Sequence, residues 1–250
     1  MKSIDITLTD HARARTIPIC VYTPLNTGAN IPVVIFGPGY QGQDTLTEPE
    51  AKLECKNYEY LAEFFTNKNY AFISIQHDIL GDNDGLETID PNAVQAEVRK
   101  HLWVRGEQNI IFVINELKQR FPEFYLDKFI IAGHSNGGDI AKFYANNHPE
   151  QISSVITLDA RRCPIKPAAN LRLLMFEALD TSTDLGVIPD QGTEQNPKRV
   201  NLEWVIIKPH NATHISYNGG YITDEIKQVV FRGIDWFLGD GKIKEDENKK

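Results

Sequence analysis

Cysteine is scarce in this sequence, and what there is does not suggest a framework. Cys20, Cys55 and Cys163 are the three cysteines among 250 residues. The number is odd, the spacings are wide and no C-x-x-C pair occurs. Neither a disulfide scaffold nor a cysteine-ligated zinc site is expected, and free thiols in a reducing compartment follow. Basic residues are outnumbered, 26 Lys and Arg against 34 Asp and Glu, for a formal charge of -8. Nucleic acid, whose backbone calls for a basic surface, is not an expected partner. No apolar run nears the roughly 18 residues of a bilayer-crossing helix, so no membrane span is expected. The opening MKSIDITLTDHARART holds no apolar signal-like core, which points to the cytoplasm. Internal repeats, low-complexity blocks and domain linkers are also lacking. One domain over 1–240 is the simplest organisation, with 241–250 a charged, frayed tail.

What the chain does contain is short apolar runs alternating with longer helical patterns. Ile4–Leu8 alternates with period two, as a half-buried strand does. Thr16–Pro24, Ile31–Gly37 and Tyr70–Gln76 are further strands, and Ile31–Gly37 is apolar on both faces, as in a buried parallel strand. An amphipathic stretch from about Asn92 to Arg120 predicts helix, with a break at Gly106. KFIIAG, Ser153–Leu158, Leu171–Phe176 and Leu202–Ile207 are later strands, and Thr223–Leu238 is a capped amphipathic helix. This order predicts an α/β fold with a mostly parallel sheet and helices on both faces.

At the centre lies IIAGHSNGGDIAKFY. Gly133-His134-Ser135-Asn136-Gly137 matches G-x-S-x-G, between a strand pattern and a helix pattern. In that setting the serine projects from a tight strand-to-helix turn, and its neighbours must be small. A hydroxyl is a poor nucleophile at neutral pH, so Ser135 needs a base and an acid that orients it. In such a topology they follow in the order Ser, Asp, His, on loops after later strands. The run DTSTD after one strand offers Asp180 and Asp184; HNATHIS after the next offers His210 and His214. Asp180, directly after its strand, is the preferred acid and Asp184 the alternative. His214 is the preferred base. His210 and His214 stand four apart but lack the glutamate and helix of a zinc motif, so no metal and no cofactor are expected.

Stabilising an oxyanion takes two backbone N–H groups. The amide of Asn136 follows the nucleophile, and GPGYQG after the third strand offers that of Tyr40. Gln41, His134, Arg161 and Arg162 are candidate pocket walls. The two arginines follow a strand at the carboxyl edge, where they could hold a substrate carboxylate or pair with the protein's own acids.

On these residues the chain resembles the α/β-hydrolase superfamily over nearly its whole length. GHSNGG resembles its nucleophile elbow, and GPGYQG is similar to the PGY oxyanion loop of bacterial cutinases and polyester hydrolases. The start TDHARARTIPICVYTP resembles the predicted dienelactone hydrolase and platelet-activating-factor acetylhydrolase group. LDARRCPIKP and DTSTDLGVIP resemble segments of uncharacterised bacterial members of that group. The resemblance implies an eight-stranded sheet and serine esterase chemistry, with Ser135 as nucleophile, Asp180 as acid and His214 as base. Dienelactone hydrolases proper use cysteine where this chain has Ser135. The expected substrate is a small-molecule carboxylic ester. A thioester, lactone or peptide, or a non-catalytic binding role on the same scaffold, are the alternatives.

Overall fold

A computed structural model describes residues 1–25, 28–43, 54–166, 168, 171–188 and 203–239. The expected tail 241–250 and part of the expected strand Leu202–Ile207 lie outside them. Eight strands form one sheet: β1 (Lys2–Asp10), β2 (Arg15–Thr23), β3 (Ile31–Gly37), β4 (Ala71–Ile75), β5 (Phe124–His134), β6 (Ile152–Leu158), β7 (Arg172–Phe176) and β8 (Glu203–Ile207). Their order is β1-β2-β4-β3-β5-β6-β7-β8. β1 and β2 run antiparallel to their neighbours, and every pairing from β4 to β8 is parallel. This is the mostly parallel sheet that the alternating pattern predicts.

The longer helices among the described residues are α1 (Glu59–Thr66), α2 (Lys100–Arg120), α3 (Asn136–Asn147) and α4 (Asp224–Leu238), and a single helical turn, Gln95–Val98, precedes α2. They cover both faces. Side chains alternate across a strand, so β3 sends Val33 and Ile35 to one face and Val34 and Phe36 to the other. The first face packs on α2 and α3 through Val113, Leu117, Ile140 and Tyr144. The second packs on α1 and α4 through Leu61, Phe65, Val230 and Phe237. Each such side chain, fully buried, contributes on the order of 1.5–3 kcal/mol.

The expected helical break at Gly106 is not there, since α2 runs unbroken through it. A Cβ at Gly106 would stand 2.5 Å from the Ile140 side chain of α3. The glycine sets how closely α2 approaches the helix behind the elbow.

The cysteines also depart from expectation. Cys20 on β2 and Cys55 form a disulfide across a sequence separation of 35 with Cα atoms 5.8 Å apart, leaving Cys163 free and buried. The sheet brings β2 beside the 3-10 turn Glu54–Lys56, a proximity that sequence spacing does not encode. Disulfides persist chiefly in oxidising compartments, so the cytoplasmic expectation loses the support of its free thiols.

Candidate active site

Ser135 sits between the end of β5 and the first residue of α3, with φ 51° and ψ -123°. A non-glycine residue in that region costs about 1–3 kcal/mol and persists only where its surroundings enforce it. Here they do. The Ser135 N–H donates to the Leu158 carbonyl at 2.9 Å, and its own carbonyl accepts from the Asp139 N–H at 3.0 Å. The flanking glycines are steric necessities. A Cβ at Gly133 would lie 2.4 Å from the carbonyl carbon of Gly137, and one at Gly137 would lie 2.1 Å from the carbonyl oxygen of Gly37. The G-x-S-x-G spacing therefore lets strand, helix and the loop after β3 meet at one point.

That loop carries Gly37-Pro38-Gly39-Tyr40. A Cβ on Gly39 would stand 3.6 Å from the Ser135 Cβ, so the loop lies directly against the elbow. The Tyr40 phenol donates to Glu87. Gln41 and Asn136 are buried, and their side-chain oxygens have no hydrogen-bond partner among the described residues.

His214 opens a 3-10 turn, His214–Tyr217, behind a reciprocal cap. The Thr213 N–H donates to Ser216 Oγ at 3.0 Å, and the two hydroxyls lie 2.8 Å apart. Its Nδ1 is hydrogen-bonded to a carboxylate, and that carboxylate belongs to Asp159. The sequence points to Asp180 or Asp184 for this position. Instead Asp180 accepts from the His214 backbone N–H at 2.8 Å, and Asp184 is engaged by the Arg162 guanidinium. His210 is exposed on the turn before.

Asp159 reaches the imidazole because of how its strand ends. It follows β6 with a left-handed φ of 46°, and its N–H donates to the Phe176 carbonyl at 2.7 Å. Its side chain is 1% exposed. Oδ1 accepts from the Ala178 N–H and the Thr181 hydroxyl, each at 3.0 Å. Burial opposes ionisation of this carboxyl. The hydrogen bonds from His214 and Ala178, with the charges of His214 and Arg161, nonetheless hold it below the usual carboxylate range. Behind it, buried Asp139 accepts from the N–H groups of Arg162 at 3.0 Å and Cys163 at 2.9 Å, which pins the loop. A usable sequence signal existed: an aspartate directly after the apolar run SSVITL, at the carboxyl edge, one strand past the elbow.

Arg161 and Arg162 both face protein acids. Arg161 Nε lies 3.4 Å from Asp159 Oδ2, and Arg162 pairs with Asp184. His134 is buried between the elbow and the histidine turn, its ring centroid 4.9 Å from that of His214. Ser135, His134, Asp159 and His214 thus gather at the carboxyl edge of the parallel strands.

The chain matches no protein-family profile and no curated protein sequence. Among solved structures it is similar to a dienelactone-hydrolase-like promiscuous phosphotriesterase from metagenomic libraries, with a TM-score of 0.64 over 96% of this chain and 98% of that one, at 12% identity. A dienelactone hydrolase from Anabaena variabilis gives 0.56 over 96% and 99%, at 14% identity. An α/β serine hydrolase without a lid from Xanthomonas campestris gives 0.54 over 94% and 95%, at 11% identity. The protein has the α/β-hydrolase fold.

Proposed function

We propose that the protein is a serine hydrolase that cleaves a carboxylic ester of a small molecule through an acyl-enzyme. The observation that carries this reading is the Asp159–His214 pair standing at the same sheet edge as a serine held at positive φ in a strand-to-helix elbow. Hydrolase neighbours of the same fold support it. With Nδ1 of His214 on Asp159, the ring proton sits there and Nε2 is the basic nitrogen. Ser135 Oγ attacks the acyl carbonyl as Nε2 takes its proton. Asp159 orients the imidazole and stabilises the imidazolium that forms. The N–H groups of Tyr40 and Asn136 receive the negative charge that develops on the carbonyl oxygen. His214 then protonates the departing alcohol, and water attacks the acyl group by the reverse use of the same groups.

Asp159 thereby takes the acid's role in place of Asp180. Asp180 serves by holding the backbone of the histidine turn, and Arg161 by compensating Asp159. A fluorophosphonate probe should label Ser135. A p-nitrophenyl short-chain ester should be hydrolysed, with Ser135→Ala lowering kcat by roughly 10⁵-fold or more. Full turnover by Ser135→Ala would overturn the assignment.

A further inference from the structure

Tyr58 and His134 take no part in the reaction as written, yet both are buried beside it, 0% and 5% exposed. They form a chain of hydrogen bonds. The Gly39 N–H donates to the Tyr58 hydroxyl oxygen at 3.3 Å. That hydroxyl lies 2.7 Å from His134 Nδ1, and His134 Nε2 lies 2.9 Å from the carbonyl oxygen of His214. A carbonyl can only accept, so Nε2 carries the proton. In a neutral ring Nδ1 is then the acceptor, and Tyr58 donates to it. The two backbone ends dictate every proton in between.

We propose that Tyr58 and His134 are positioning residues that hold the loop bearing the oxyanion donor and the loop bearing His214 in register across Ser135. The inference rests on the serine hydrolase reading. The chain begins one residue before Tyr40, passes through the residue before Ser135 and ends on the backbone of the base itself. It is stiff. The Tyr58 ring packs on Phe36 with centroids 4.6 Å apart and on His134 at 5.8 Å. Burial and the charge of His214 push His134 down to about 3. It therefore stays neutral while its neighbour gains and loses a proton, and no second positive charge opposes the imidazolium. Burial pushes the Tyr58 phenol upward, so it remains a donor.

The segment that carries Tyr58 grips the same histidine turn a few residues on. The Asn57 carbonyl accepts from the Gly219 N–H at 2.7 Å. The Tyr60 hydroxyl donates to the Tyr217 carbonyl at 2.8 Å, and Asn218 Nδ2 donates to Glu54 Oε1 at 3.2 Å. The Cys20–Cys55 disulfide ties the segment to β2. An oxyanion hole works only when its donors meet the charge that develops, and small misplacements are costly.

The test is steady-state hydrolysis of p-nitrophenyl acetate, with folding followed by thermal melting. Tyr58→Phe keeps the ring and removes the hydroxyl. It should lower kcat roughly 10- to 100-fold with KM within about threefold, because transition-state alignment rather than substrate binding is lost. His134→Leu should lose at least as much. His134→Gln, whose amide can still donate to the His214 carbonyl, should recover part. The double variant Tyr58→Phe/His134→Leu should be no slower than His134→Leu alone. Wild-type kcat in Tyr58→Phe, or losses that multiply in the double variant, would overturn the proposal. If Tyr58→Phe does not fold, the histidine variants decide: equal kcat in His134→Gln and His134→Leu sinks it. Ser135→Ala in the same assay keeps the two readings apart. Activity there defeats the hydrolase reading, whereas an inactive Ser135→Ala beside an unimpaired Tyr58→Phe defeats only the positioning chain.

Discussion

The elbow at Ser135 and the Asp159–His214 pair occupy one sheet edge, but they are assembled over different distances along the chain. The elbow is local. Gly133 and Gly137 stand four residues apart, and each is required because a Cβ would strike backbone within 2.4 Å. Asp159 and His214 are 55 residues apart in sequence. They meet only because β6 lies two strands from β8 and because the turns after both strands are pinned from behind. A motif can announce the first kind of structure. The second kind depends on which of several correctly typed residues the loops happen to face.

The largest effect is expected at the Asp159–His214 pair. Asp159→Asn should cut kcat by roughly 10³- to 10⁴-fold, since the imidazole loses its orienting charge. Asp180→Asn should stay within about tenfold, because it perturbs only a backbone contact. Steady-state kinetics on one ester, with both variants side by side, decides it; the reverse order would return the acid to Asp180. On the elbow side, Gly137→Ala must displace the carbonyls of Gly37 and Pro38. It should cost about 3 kcal/mol or more in a denaturant melt, and a neutral result would show that the close approach is not required.

Two smaller effects probe the tether behind the histidine turn. Reduction of Cys20–Cys55 reopens a loop across a separation of 35 residues and should cost roughly 2–4 kcal/mol of stability, read as a lower Tm with reductant. An unchanged Tm would remove the tether from the account. Burial pushes Glu54 up to about 7, against the hydrogen bonds of Asn57 and Asn218 that favour its charge. A carboxyl raised on folding contributes stability that is complete below its ordinary pKa and lost as pH rises through the folded value. Stability should therefore fall by about 1–2 kcal/mol between pH 5 and 8, and Glu54→Gln should flatten that slope.

Much of the fold was legible because it follows from periodicity. The alternation of β3, apolar on both faces, marked a central parallel strand, and Val33/Ile35 and Val34/Phe36 do enter the two separate cores. Gly106 misled because a glycine in a helical pattern reads as a weak point, whereas here its missing side chain admits Ile140. The cysteine count misled because pairing depends on Cα separation in space, and Cys20 and Cys55 are joined by the sheet rather than by spacing. Arg161 and Arg162 leave a substrate carboxylate or the protein's own acids open in the sequence, and the structure pairs them with Asp159 and Asp184.

The parallel α/β sheet, the elbow around Ser135 and the turn at His214 are written in the order of residues alone. These rest on periodicity and steric rules that act over a few residues. Which carboxylate faces the imidazole, the meeting of Cys20 with Cys55, and the link that one buried tyrosine makes between the loops on either side of Ser135 all come from three-dimensional packing. Those choices turn on a few ångströms of loop placement, which is set by the packing of strands far apart in the chain.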